Sequence, residues 1–103
     1  MAPEQSAALI DWASKREAIA AVWLFGSRAR DDHKPTSDHD IALELMPSRG
    51  PADDWAYTAF FFAYDCWKRE IGAILQNEVS LVCFREDMDC KFDPRVLKIW
   101  SRA

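Results

Sequence analysis

Two apolar runs joined by a polar, basic connection constrain this chain more than any other feature. The first, Ala21 to Phe25, is closed by Gly26-Ser27. The second is entered through Ser37-Asp38-His39-Asp40 and alternates Ile41, Leu43 and Leu45 against Asp40, Ala42 and Glu44. A short apolar run stopped by glycine reads as a buried strand. Strict two-fold alternation over His39 to Met46 reads as a strand with two unlike faces. Between them, Ser27 to Asp31 has room for a turn or two of helix, and Lys34-Pro35-Thr36 is a loop with a clear breaker.

The flanking segments supply the rest of a sheet and its cover. Pro3 to Ala20 repeats Leu9, Trp12, Ala13, Arg16 and Ile19 or Ala20 at helical spacing, with Pro3 and Glu4 suited to a first turn. Pro47 to Pro51 ends the alternating strand, and Ala52 to Gln76 forms the longest helical candidate. Glu78 to Phe84 alternates Val79, Leu81 and Cys83 against Ser80, Val82 and Phe84, as a third strand does. Arg85 to Lys91 is a charged loop. Asp93 as N-cap and Pro94 at the first helical position predict a final helix to Ser101. This order places the chain in the α/β (α+β) class: a small mixed sheet of three to four strands flanked by helices, as a single domain over residues 1–103.

Composition narrows the function classes. A net charge of −4 argues against a general nucleic-acid binder, which neutralises phosphates with Lys and Arg. A nucleotide carried in with its own metal is compatible with that sign. The three cysteines, Cys66, Cys83 and Cys90, form no CxxC pair. With no apolar leader near Met1 and no run of membrane-spanning length, the expected setting is cytoplasmic.

The chemistry concentrates at the junction of the two runs. Asp38 and Asp40, two residues apart at a strand start, project to one side roughly 7 Å apart along the backbone and can share a hard divalent cation. Gly26 lets the backbone approach a ligand closely, and the Ser27 hydroxyl and N–H suit a terminal phosphate. Arg28 and Arg30 are available to a triphosphate, Arg30 by a bidentate contact. Each signal alone is common: a Gly-Ser step is usually a turn, and a DxD pair is usually a solvated strand start. Nucleotidyl transfer needs this combination, because its main demands are positioning and neutralisation of phosphoryl charge. Two Mg²⁺ ions held by carboxylates would clamp the attacking and leaving oxygens.

The segment GSRARDDHKPTSDHDIAL resembles the signature of the minimal nucleotidyltransferases of the DNA polymerase β superfamily. The likeness runs from Leu24 to Leu45, and the order of elements extends it from Gln5 to Phe84. The resemblance implies an α/β nucleotidyltransferase core that binds Mg²⁺ with ATP or another nucleoside triphosphate. It implies that Gly26 and Ser27 hold the phosphates and that Asp38 and Asp40 bind the metals and serve catalysis; Arg28, Arg30 and Ser37 complete the expected nucleotide-binding set. Members of this kind act as antitoxins that adenylylate a tyrosine on a helical HEPN toxin. Two positions depart from the pattern. Where the family places a third carboxylate on the third strand, this chain has Ser80, which can be neither a carboxylate ligand nor a competent base. Glu78 and Glu44 are poorly placed to substitute. Asp31 stands where the family often has Gly.

The 52–76 helix carries Trp55, Tyr57, Phe60, Phe61, Phe62, Tyr64 and Trp67 around most of its circumference, so it is expected to be buried on more than one side. A partner protein, a HEPN-like toxin or a second copy of the chain, is one cover for it. A terminal helix folding over it is the other. The leading functional reading is transfer of a nucleotidyl group, AMP in the family, to a hydroxyl of a partner protein. The alternative is a catalytically impaired module that neutralises its partner through the aromatic helix 55–67. A third is a homodimeric transferase acting on a small molecule. His39 points away from the aspartates and reads as a surface or supporting residue, and His33 as solvated loop. A zinc site from Cys83, Cys90 and His33 lacks ligand spacing. Arg85 to Asp89 reads as solvated loop, with Glu86 or Asp87 able to approach the site from the strand end.

Overall fold

The computed structural model describes residues 3–25, 39–47, 50, 54–84 and 96–102. Its elements are α1 (Pro3–Ser14), β1 (Ile19–Phe25), β2 (His39–Leu45), α2 (Trp55–Leu75), β3 (Val79–Phe84) and β4 (Leu97–Ser101). The four strands form one mixed sheet in the order β3-β2-β1-β4. β1 is antiparallel to both β2 and β4, and β2 is parallel to β3. A parallel pair needs a long crossover, which α2 provides.

Alternation along the strands divides the sheet into two faces. Val22, Leu24, Ile41, Leu43, Val79 and Leu81 face the helices and pack with Leu9, Trp12 and Ala13 of α1 and Ala56, Phe60, Ile71 and Leu75 of α2. Ile19, Ile41, Leu43 and Ile71 are fully buried there. On the other face Ala21, Trp23, Ala42 and Phe84 form a second, smaller cluster with Phe25 and Val96 against it. The predicted class holds, with both helices on one face.

Two expectations are corrected. The final helix over Asp93 to Ser101 is not formed at its C-terminal end, because Leu97–Ser101 is a strand paired with β1. The first helix stops at Ser14 rather than Ala20, since Ile19 belongs to β1 and pairs with Leu45. Arg102 secures both changes. Its guanidinium donates to the carbonyls of Arg16 at 2.9 Å and Ile19 at 3.1 Å, and reaches those of Ala13 and Ser14 at 3.4 Å. Its backbone N–H donates to the Ala20 carbonyl at 2.7 Å. These groups lie at and just beyond the end of α1, where helix carbonyls lack intrahelical partners.

α2 buries one stripe and exposes another. Phe60 packs edge-on against Tyr64 and Trp67, and Trp67 meets Trp12 with centroids 5.9 Å apart. Phe61 and Phe62 are 67% and 81% exposed and touch each other edge-on, with Tyr57 exposed on the same helix. Among the described residues, Leu97–Ser101 pairs at the β1 edge of the sheet as a strand and is not a helix over this surface. No helix among the described residues is long and apolar enough to cross a membrane.

Candidate functional site

Strand directions bring three ends together. The C-terminal end of β1 and the N-terminal ends of β2 and β3 meet at one end of the sheet, since β1 opposes two strands that run parallel to each other. Asp40 is the second residue of β2. It is half-buried and stands opposite Phe25 on one side and Ser80 on the other. Its place in the alternation puts it on the face away from the helices. Gly26, Ser27, Arg28, Arg30, Ser37 and Asp38 lie outside the described residues, as do Asp31, His33, Glu86, Asp87 and Cys90. Gly26 follows the last residue of β1 directly, and Asp38 precedes the first residue of β2.

His39 is turned to the helix side, as the alternation requires, but it is not on the surface. It is 3% exposed, its N–H donates to the Glu78 carbonyl at 3.0 Å, and its Nδ1 lies 3.5 Å from Nδ2 of Asn77. Its role is therefore to tie the start of β2 to the segment before β3. Glu44 accepts the indole N–H of Trp23 at 3.0 Å, about 13 Å along β2 from Asp40, and is a structural group. Cys66 and Cys83 form no disulfide.

One part of this end escaped the sequence reading. α2 closes on Gln76, whose left-handed backbone (φ 53°, ψ 42°) lets its N–H donate to the Gly72 carbonyl. The Asn77 side-chain oxygen accepts the Glu78 N–H at 2.8 Å. This tight reversal delivers β3 beside β2 and leaves an open groove of about 470 Å³ whose lining includes Asp65, Lys68, Arg69 and Glu78. Asn77, just past the last helical repeat, was the available signal.

Asp40 supplies a hard anionic oxygen, whereas Ser80 beside it supplies only a neutral hydroxyl. Among the described residues no three His, Cys, Asp or Glu side chains are grouped to hold a metal. This donor set suits a cation that arrives with ligands of its own, as a triphosphate provides, better than a closed protein cage.

The family model described as polymerase beta, nucleotidyltransferase matches residues 7–99. The chain belongs to this nucleotidyltransferase family. Curated protein sequences give no match. Among solved structures, this polymerase beta family member is similar to a chain of a toxin–antitoxin complex holding AMP-PNP. The TM-score is 0.61 and the identity 16%, over 98% of this chain and 75% of that one. The toxin–antitoxin pair MntA–HpeT, carrying Asp-to-Glu changes at two positions two apart, matches with a TM-score of 0.59 and 16% identity, over 94% and 73%. The tri-AMPylated HEPN toxin of Shewanella oneidensis in complex with MNT antitoxin matches with a TM-score of 0.54 and 17% identity, over 95% and 71%. At these identities the likeness is one of fold.

Proposed function

We propose that this single-domain chain is the antitoxin of a toxin–antitoxin pair, and that it transfers a nucleotidyl group, AMP, from a nucleoside triphosphate to a hydroxyl of its partner protein. The observation that carries the reading is the position of Asp40. In a polymerase beta family chain it stands where the ends of β1, β2 and β3 converge, with the Gly26-Ser27 step following β1 and Asp38 preceding β2. Gly26, Ser27, Arg28, Arg30 and Ser37 hold the triphosphate, and Asp38 and Asp40 hold its Mg²⁺. The cation neutralises phosphate charge when bound. The acceptor oxygen attacks the α-phosphorus, the bond to the β-phosphate oxygen breaks, and pyrophosphate departs as the acceptor proton passes to solvent water. Support for the acceptor class comes from the related complexes, one with AMP-PNP and one with an AMPylated HEPN toxin. The changed aspartate pair of MntA–HpeT has the same spacing as Asp38 and Asp40. The exposed Phe61 and Phe62 are the surface through which this chain grips its partner. The setting is cytoplasmic.

The test is incubation of the chain with labelled ATP, Mg²⁺ and the product of the adjacent gene. Label should appear on the partner and should vanish with Asp38→Asn and Asp40→Asn. A wild-type complex that forms tightly, leaves the partner unlabelled and survives both substitutions would overturn transfer. That result would establish the second reading, a binding module without turnover, which the neutral Ser80 beside Asp40 favours.

A further inference from the structure

The sheet position beside Asp40 sets a limit on the cations this end can hold. Parallel partners in adjacent strands point to the same face, and the strands lie about 4.8 Å apart, so Ser80 is the lateral neighbour of Asp40 on β3. The neighbour on β1 is Phe25. Both are uncharged. Of the remaining carboxylates on these strands or at their starts, Glu44 lies at the far end of β2 and is engaged by Trp23. Glu78 precedes β3 and is exposed, with its carbonyl bonded to the His39 N–H. Two divalent cations in a phosphoryl-transfer site sit about 3.5–4 Å apart and need anionic oxygens on both sides to offset their mutual repulsion. A serine hydroxyl offsets none of it.

We propose that Ser80 sets the cation count of the nucleotide site at one. The chain holds the divalent cation that accompanies the triphosphate, against Asp40, and among the described residues the strands beside Asp40 offer no anionic seat for a second. The inference rests on the nucleotide reading above. It adds that the acceptor hydroxyl meets no second cation and no carboxylate base on β3, so the loaded state is long-lived and transfer is slow.

Manganese replaces Mg²⁺ in the experiment, because its paramagnetic signal both counts ions and reports their coupling. The full chain is mixed with equimolar AMP-PNP, retention of the nucleotide by the protein is measured by equilibrium dialysis, and bound Mn²⁺ is titrated by electron paramagnetic resonance. Wild type should retain nucleotide with one uncoupled Mn²⁺. Ser80→Ala should match it. Ser80→Asp should bind two Mn²⁺ with the exchange-broadened signal of a close pair, and labelling of the partner should rise by about 10²-fold or more, from the lower end of the range of about 10²–10⁴ that a positioned base contributes. Two coupled ions in wild type would overturn the inference and leave the nucleotide reading standing. Failure of wild type to retain nucleotide would overturn both. One ion in a folded Ser80→Asp chain would show that Ser80 is not the determinant, and if that variant unfolds, the wild-type count still decides.

Discussion

Removing the Arg102 side chain should unlatch two ends of the sequence at once. The guanidinium makes two well-formed bonds, to the carbonyls of Arg16 and Ile19, and two long contacts to those of Ala13 and Ser14. It also lies over the Trp100 ring at 5.2 Å. Hydrogen bonds from a charged donor contribute about 1.5–3 kcal/mol when well buried. Arg102 is exposed as a residue, so solvent screening reduces each good bond to roughly 0.5–1 kcal/mol. A cation at a helix C-terminus adds about 0.3–1 kcal/mol. Together these give about 2 kcal/mol for Arg102→Ala, a fall in Tm of roughly 8–15 °C for a domain of this size. Thermal unfolding followed by far-ultraviolet circular dichroism measures it directly. Arg102→Lys retains the charge at the helix end but cannot fork between carbonyls, so it should recover less than half of the loss. If Arg102→Ala melts within about 2 °C of wild type, or if Lys serves as well as Arg, the latch is not a significant source of stability.

Other expectations concern separate surfaces. Phe61→Asp with Phe62→Asp should weaken binding of the partner by about 30-fold or more, the effect of losing one interface anchor worth 2 kcal/mol or more, while leaving Tm nearly unchanged; calorimetric titration and melting test both halves. Gln76→Gly should stabilise the chain by about 0.5–1 kcal/mol in urea unfolding, because glycine adopts the left-handed turn without strain. The buried indole N–H of Trp12 has no hydrogen-bond partner among the described residues, so Trp12→Phe removes an unsatisfied donor along with some packing area. It should cost less than about 1 kcal/mol, against about 3–5 kcal/mol for Trp12→Ala, by the same measurement.

Much of the fold could be read from periodicity. Ile41, Leu43 and Leu45 are buried as their alternation requires, and Leu9, Trp12 and Ala13 form the buried stripe of α1. Gly-Ser and Asp-x-Asp motifs pointed to the stretch that contains Asp40, and the register places Ser80 beside it. The errors arose where local signals competed with long-range pairing. Leu97-Lys98-Ile99-Trp100-Ser101 is too short to separate the two periods, and Asp93-Pro94 favoured a helix start. The open edge of β1 decided for strand. Ile19 fits both a helical stripe and an alternating strand, and pairing with Leu45 claimed it. The burial of His39 was hidden because it depends on Asn77 and Glu78, which come beside it only after the α2 crossover.

The β1–β4 pairing also imposes a schedule on biosynthesis. β1 is translated well before β4, the strand that shields its outer edge. At about 5–20 residues per second, that edge stays uncovered for roughly 4–15 s on each ribosome. Val22, Trp23 and Leu24 line it, so neighbouring nascent copies on one message have a matching apolar strand to join. A message broken upstream of Leu97 yields a product whose edge never closes. Such a product presents an unpaired apolar strand edge, a template for pairing with other chains.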